Sequence, residues 1–269
     1  MMYSFGFIGC GNMGGALAAA AAKTLRPGEI LLCDQSADKA RALAETLGAV
    51  CGDNEAAARE SRYLFLGVKP QMMADMLASI APVLRARQDR FVLVTMAAGL
   101  STARIQEMAG EAYPTIRIMP NTPASIGAGM ILLSASAEVT AEEKAYFQTC
   151  MAGAGVLDEL PEHLIDAGSA VSGCGPAYVD LFVEALADGG VACGLPRDKA
   201  QLYAAQMVLG SAKLILESGE HPGVLKDRVC SPGGSTIAGV QALERGAFRA
   251  AAANAVSAAY EKTLELGKQ

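Results

Sequence analysis

Six residues near the start of the chain, Gly9-Cys10-Gly11-Asn12-Met13-Gly14, spell G-x-G-x-x-G. They stand between an apolar run, "YSFGFI", and an Ala-rich stretch, "GALAAAAAKTL", whose composition favours helix. Strand, glycine turn and helix, in that order, form a dinucleotide-binding fingerprint. Gly9 makes the tight turn, Gly11 lets the backbone approach a pyrophosphate, and Gly14 lets helix and strand pack closely. The N–H groups at the helix start, around Asn12 and Met13, attract the anion. A partner residue supports this chemistry. Asp34, followed by Gln35, closes the apolar run "EILLCD" 20 residues after Gly14. A carboxylate there accepts hydrogen bonds from the adenine-ribose hydroxyls of NAD and repels a 2′-phosphate. The spacing therefore favours NADH, while Lys39 and Arg41, one helical turn on, leave NADPH open.

A second chemical signal lies far downstream. Ser231-Pro232-Gly233-Gly234-Ser235-Thr236 is rich in glycine and hydroxyl groups and runs into the apolar helix pattern "IAGVQALE". A helix start with free N–H groups and nearby hydroxyls suits a carboxylate. Two adjacent glycines would let a ligand come close to the backbone.

The elements that must position these residues follow from hydrophobic period. Apolar runs at "SRYLFLGVK", "RFVLVTMAAGL", "TIRIMPNTP" and "GMILLSAS" alternate with helical patterns such as "QMMADMLASIAPVL", "TARIQEMAG" and "AEEKAYFQTCMAGAG". That alternation predicts a doubly wound α/β Rossmann-type domain over residues 1–160. Ligands in such sheets bind beyond the carboxyl ends of the strands. Three strand-end loops thus join the candidate site: Val68-Lys69-Pro70, Ala97-Ala98-Gly99, and the loop containing Asn121, which could face the nicotinamide or the substrate. From about residue 160 the strand signals stop, and 161–269 reads as long, Ala-rich helices broken at Gly173-Cys174-Gly175-Pro176 and at Gly194-Leu195-Pro196. The apolar excess of these helices predicts burial against a second subunit.

Composition narrows the function classes. The chain has 269 residues, 52% hydrophobic and 19% charged, with a net charge of −6 and no long basic run, so a nucleic-acid or anionic-membrane surface is not expected. The seven cysteines include no C-x-x-C, and the two histidines stand alone, so neither a metal site nor a disulfide framework is expected. Reduced thiols suit a cytoplasmic protein. The apolar start could also suggest a secretory signal, but Met1 to Phe5 carries no basic side chain and glycines break the run.

At these residues the chain resembles a known family. "FIGCGNMGGAL", "GVKPQ", "AAGLS", "RIMPNTP", "SGCGPAYV" and "LKDRVCSPGGSTIAGVQALE" together are similar to pyrroline-5-carboxylate reductases, in order over essentially the whole chain. The resemblance implies reduction of 1-pyrroline-5-carboxylate to L-proline with hydride from NAD(P)H, the last step of proline biosynthesis. It implies a Rossmann domain followed by an all-α dimerisation domain of the 6-phosphogluconate dehydrogenase-like C-terminal type. Interleaved dimers, often assembled into a ring of five, go with it. It also implies that Ser231, Gly233, Gly234, Ser235 and Thr236 hold the substrate carboxylate, with Thr236 near the imine nitrogen. One departure is the Asp34-Gln35 pair, where NADPH-preferring members carry a small polar residue and then Arg.

Two alternatives share parts of this pattern. A β-hydroxyacid dehydrogenase has the same N-terminal motif but uses a lysine early in a long helix, and "SGCGPAYVDLFVEAL" has none. A non-catalytic NAD(H) sensor would have no use for the 231–236 loop. Cys174 and Cys230 lie in or beside candidate loops and read as small apolar residues that could confer sensitivity to alkylation. His221 reads as a helix-start residue.

Overall fold

Apolar strands alternating with amphipathic helices leave both faces of a sheet needing cover, and a parallel sheet between two helix layers supplies it. A computed structural model shows this arrangement and describes residues 3–267. The elements of the first part are β1 (Tyr3–Ile8), α1 (Asn12–Ala21), β2 (Ile30–Cys33), α2 (Ala37–Leu47), β3 (Val50–Cys51), α3 (Asn54–Glu60), β4 (Ser61–Leu66), α4 (Met73–Ala86), β5 (Val92–Thr95), α5 (Thr102–Ala109), β6 (Thr115–Met119), β7 (Gly129–Ala135), α6 (Ala141–Met151), β8 (Gly155–Glu159) and α7 (Ile165–Ser172). The strands form one sheet in the order β3-β2-β1-β4-β5-β6-β7-β8, parallel except for the β6–β7 pair.

Alternate residues of each strand feed two cores. Phe5, Phe7, Tyr63 and Phe65 face α1, α2 and α6, with the Phe7 and Phe65 rings stacked at 4.1 Å. Ile8, Leu64, Leu66 and Leu93 face α3, α4 and α5. The chain order runs outward from β1 toward β3 on one side and outward from β4 on the other. The order in which strands are added thus reverses between the parallel neighbours β1 and β4, the switch point where such folds bind ligands.

The second part holds α8 (Gly175–Ala192), α9 (Arg197–Ser218), α10 (Pro222–Arg228), α11 (Ser235–Arg245) and α12 (Phe248–Leu266). Backbone contacts divide the chain into two compact units. One runs up to Cys174 and resumes at Ala259, and the other is Gly175–Ala258. Contacts thus separate later than the expected boundary at 160/161, because α7 packs on β7 and Asp166 pairs with Arg117 of β6. The helical unit has little interior of its own. Its buried hydrophobic residues are Ala187, Ala200 and Ala204, while Leu202, Tyr203, Leu209 and Leu216 are exposed. His221 starts α10, its Nδ1 accepting from the Gly223 N–H at 3.0 Å.

Candidate active site

Strand register lines up the ends that matter. Ile8 pairs with Cys33 of β2 and with Leu66 of β4, and Leu66 pairs with Thr95 of β5. One residue later come Gly9, Asp34, Gly67 and Met96, side by side at the carboxyl edge. Gly9 takes φ +100°, and a Cβ there would lie 2.5 Å from the Gly67 carbonyl oxygen. The reverse holds too, since a Cβ on Gly67 would lie 2.6 Å from the Gly9 oxygen. The turns after β1 and β4 therefore touch backbone to backbone, and only glycine allows both. Gly67 was not among the candidates from sequence, although "LFLGVKP" puts a glycine right after a strand, as "FGFIG" does.

The three motif glycines do different work. Gly14 is buried, and a Cβ on it would be 2.1 Å from the Gly9 oxygen, so α1 can start this close only without a side chain there. Gly11, the N-cap of α1, has ordinary helix-entry backbone and no atom within 4 Å of where a Cβ would stand. That open space sits over the helix start, whose first N–H groups have no acceptor within the helix and no capping side chain. A pyrophosphate fits there. Asn12 is exposed and Met13 half-buried at the same helix end.

Asp34 bridges two backbone segments. Its Oδ2 accepts from the Cys10 N–H at 2.7 Å and its Oδ1 from the Ser36 N–H at 3.0 Å. The carboxylate is thus fixed beside the glycine turn and does not cap α2, whose N-cap is Ser36. Each oxygen keeps a further lone pair for a ribose hydroxyl. Burial, reinforced by the Asp34 charge, pushes the Cys10 thiol up to about 12, so it stays protonated and inert. Gln35 and Lys39 are exposed, and Arg41 pairs with Asp38 at 3.1 Å.

The other strand-end loops lie on the same edge. Val68 is half-buried, Lys69 exposed, and Pro70 opens a short 3-10 turn. Ala97 is buried, Ala98 half-buried, and Gly99 takes φ +75°. Asn121 follows β6, is nearly buried, and has its side-chain amide engaged within the fold. Its Nδ2 donates to the Ser172 carbonyl at 3.0 Å, and its Oδ1 accepts from the Met130 N–H at 3.0 Å. These bonds make Asn121 part of the framework that shapes the loop after β6, with one amide hydrogen left over for a ligand.

A buried ionic network beside these loops has no signature in the local sequence. The Arg117 guanidinium of β6 is 2.5 Å from Asp166 and 3.7 Å from Glu162. Glu162 in turn accepts the Thr102 N–H at 2.6 Å and the Thr102 hydroxyl at 2.8 Å. Its carboxylate therefore caps α5 directly after the 97–99 turn. Among the described residues, no group of three or more His, Cys, Asp or Glu is placed to hold a metal.

In the helical unit, Gly233 takes φ +69° and the Gly234 N–H closes a turn onto the Ser231 carbonyl at 3.0 Å. The Ser231 Oγ would stand 2.4 Å from a Cβ on Gly234, so a side chain there would require the serine hydroxyl to turn away. Gly234 is the N-cap of α11 and has no side-chain cap. The N–H groups of Ser235, Thr236 and Ile237 therefore find no acceptor within the helix. Both Ser235 and Thr236 are exposed in this chain. Cys174 and Cys230 are half-buried free thiols.

Comparison with known proteins decides the family. Pyrroline-5-carboxylate reductase from Synechocystis sp. is 45% identical over 272 residues, covering all of both chains. The chain belongs to the pyrroline-5-carboxylate reductase family. The Escherichia coli member is 41% identical, again over the full length of both. Models for the NADP oxidoreductase, coenzyme F420-dependent, and for pyrroline-5-carboxylate reductase dimerisation match residues 4–99 and 162–266. Among solved structures, Plasmodium falciparum pyrroline carboxylate reductase with NADP bound matches with a TM-score of 0.87 and 31% identity, over 99% of this chain and 100% of that one. The Coxiella burnetii reductase matches with a TM-score of 0.89 and 31% identity, over 99% of each chain. The first unit is thus an NAD(P)-binding oxidoreductase fold, and the helical region carries the family's dimerisation domain.

Proposed function

We infer that the chain reduces 1-pyrroline-5-carboxylate to L-proline with hydride from NAD(P)H, the last step of proline biosynthesis. The observation that carries this is the likeness to named reductases over the whole chain, helical half included. That coverage also removes the β-hydroxyacid dehydrogenase and sensor alternatives. NAD(P)H supplies the hydride. The imine carbon would receive it, the C=N double bond becoming a single bond whose π pair passes to the ring nitrogen, which was protonated beforehand and remains in the ring as a neutral secondary amine. A protonated imine needs no strong acid from the protein, and the site works by placement.

The residues divide the task. Gly9, Gly11, Asn12, Met13 and Gly14 receive the pyrophosphate, and Asp34 with Gln35 meets the adenine ribose. Val68, Lys69, Pro70, Ala97, Ala98, Gly99 and Asn121 border the cofactor further along the edge. Ser231, Gly233, Gly234, Ser235 and Thr236 orient the substrate carboxylate with backbone N–H groups and hydroxyls, and Asn121 supports the substrate through its loop. The Thr236 hydroxyl contacts the ring nitrogen.

The fixed Asp34 carboxylate supports a preference for NADH. Oxidation of NADH and of NADPH, followed at 340 nm with 1-pyrroline-5-carboxylate, tests both statements. Faster NADH turnover is expected, and Asp34→Asn, which removes the charge but keeps one acceptor, should raise the NADPH-to-NADH ratio of kcat/KM by about tenfold, or about 1.4 kcal/mol. NADPH preference in the unaltered protein would keep the reaction and discard the role given to Asp34. Consumption of neither cofactor would overturn the activity.

The exposed apolar side chains of α9 support a homodimer formed through the C-terminal helices. No helix of the described residues is long and apolar enough to cross a membrane. Seven unpaired cysteines support a cytoplasmic setting. A ring of five dimers is the further proposal. Light scattering should report a ten-chain mass, and a two-chain mass would discard the ring while keeping the dimer.

A further inference from the structure

The turn after β5 is gripped on two sides by chain from far along the sequence. Its own closure is weak, a 3.4 Å contact from the Leu100 N–H to the Ala97 carbonyl. Gly99, at φ +75°, occupies the turn's third position, where a type II turn needs glycine. One side of Gly99 is filled by backbone. A Cβ there would stand 2.8 Å from the Gly267 nitrogen and 3.2 Å from the Thr263 carbonyl oxygen, at the end of α12. The approach is mutual, since a Cβ on Gly267 would stand 2.6 Å from the Gly99 oxygen. On the other side, Glu162 holds Thr102 by two short hydrogen bonds and is itself placed by the buried Arg117. Neither grip comes from residues 4–99, the segment matched by the oxidoreductase model.

We propose that Glu162, Thr263 in the last turn of α12 and Gly267 directly after it are positioning residues for the 97–99 turn and set how tightly the cofactor binds. This rests on the reading that the 97–99 turn borders the cofactor. A turn closed by one long bond would otherwise sample several shapes, and each binding event would have to select one. Holding it in advance lowers that cost of ordering. The effect belongs to binding and not to the hydride step, because neither grip reaches the reacting atoms through its own side chain.

The test measures NADH affinity by fluorescence without substrate, together with kcat and KM. The variants are Gly267→Ala, a chain ending at Lys262, Glu162→Ala and Glu162→Gln. The first three should raise the NADH Kd and KM by about fivefold to tenfold with kcat within about twofold. Circular dichroism and sedimentation should match the parent, which separates positioning from misfolding. Glu162→Gln keeps an acceptor for the Thr102 N–H and should restore most of the affinity. An unchanged Kd in both Gly267→Ala and Glu162→Ala would overturn the proposal, as would a fall in kcat at constant KM. Ala98→Leu, inside the turn, separates the two ways of failing. If it raises Kd while the grip variants do not, only the positioning role is lost. If it also leaves Kd unchanged, the turn does not border the cofactor and both readings go.

Discussion

Gly14→Ala is expected to reduce kcat/KM for the cofactor by on the order of a hundredfold and to destabilise the fold by about 1–3 kcal/mol. The cause is one atom. The new Cβ would lie 2.1 Å from the Gly9 carbonyl oxygen, which is backbone and cannot swing aside. Either α1 moves away from the turn or the turn itself shifts, and the turn is already wedged against Gly67. In both cases the N–H groups at the start of α1 leave the place where a pyrophosphate would meet them. Gly11→Ala is the informative companion. Its Cβ would touch nothing in the protein, and Gly11 has a φ of −63° that alanine adopts freely. Stability should therefore be unchanged while NADH binding weakens by at least about tenfold, because the methyl group fills space meant for phosphate. Urea unfolding at fixed protein concentration and fluorescence titration with NADH read the two quantities separately. Normal NADH binding by Gly11→Ala would place the pyrophosphate elsewhere.

The contrast between these glycines explains which parts of the candidate site are legible in the sequence. The glycine turn, Asp34 and the three strand-end loops could be read because each depends on near neighbours: a strand, a turn and a helix in fixed order. The edge strands could not. β3 is a two-residue strand, and β8 (Gly155–Glu159) leaves Val156 63% exposed, so neither carries the continuous apolar run that marks a buried parallel strand. α3 is too short to show a helical period, although its start carries a cap signal, since Asp53 accepts the Ala56 N–H at 2.7 Å ahead of an Ala-rich run. Glu162 illustrates a different limit. It caps a helix that begins 60 residues earlier in the chain, and no local pattern announces such a pairing. Asn121 shows the converse. Its residue type and position suggested a ligand contact, yet most of its hydrogen-bonding capacity is engaged with Ser172 and Met130. A polar side chain at a strand end can act on a ligand through the loop it holds as readily as by touching it.

Thr236→Ala should lower kcat by about tenfold to a hundredfold while leaving the protein folded. Thr236 is exposed at the second residue of α11, its helix start is already formed by Gly234, and its side chain makes no cap. Stability therefore has little to lose. The rate has more to lose because of how the ring must sit during the reaction. Before hydride arrives the ring nitrogen is a cationic N–H donor. A hydroxyl oxygen that accepts from this N–H fixes the ring so that the imine carbon faces the incoming hydride. The charge on nitrogen falls as hydride arrives, so the bond acts on kcat through orientation and not through its own strength. Misplacing a reacting atom by about 1 Å costs on the order of a hundredfold, which sets the upper end of the range expected for kcat. Thr236→Ser keeps the hydroxyl and should recover most of the rate, whereas Thr236→Val keeps the shape and should not. The pH profile of kcat should have the same form in all of these variants, because a threonine hydroxyl that only accepts a hydrogen bond does not titrate in the working range. A profile that changes form in Thr236→Val would show the hydroxyl relaying a proton. Unchanged kcat in both Thr236→Ala and Thr236→Val would remove Thr236 from the reacting centre and leave this loop's contribution to the backbone N–H groups of Ser235 to Ile237 and the hydroxyls of Ser231 and Ser235.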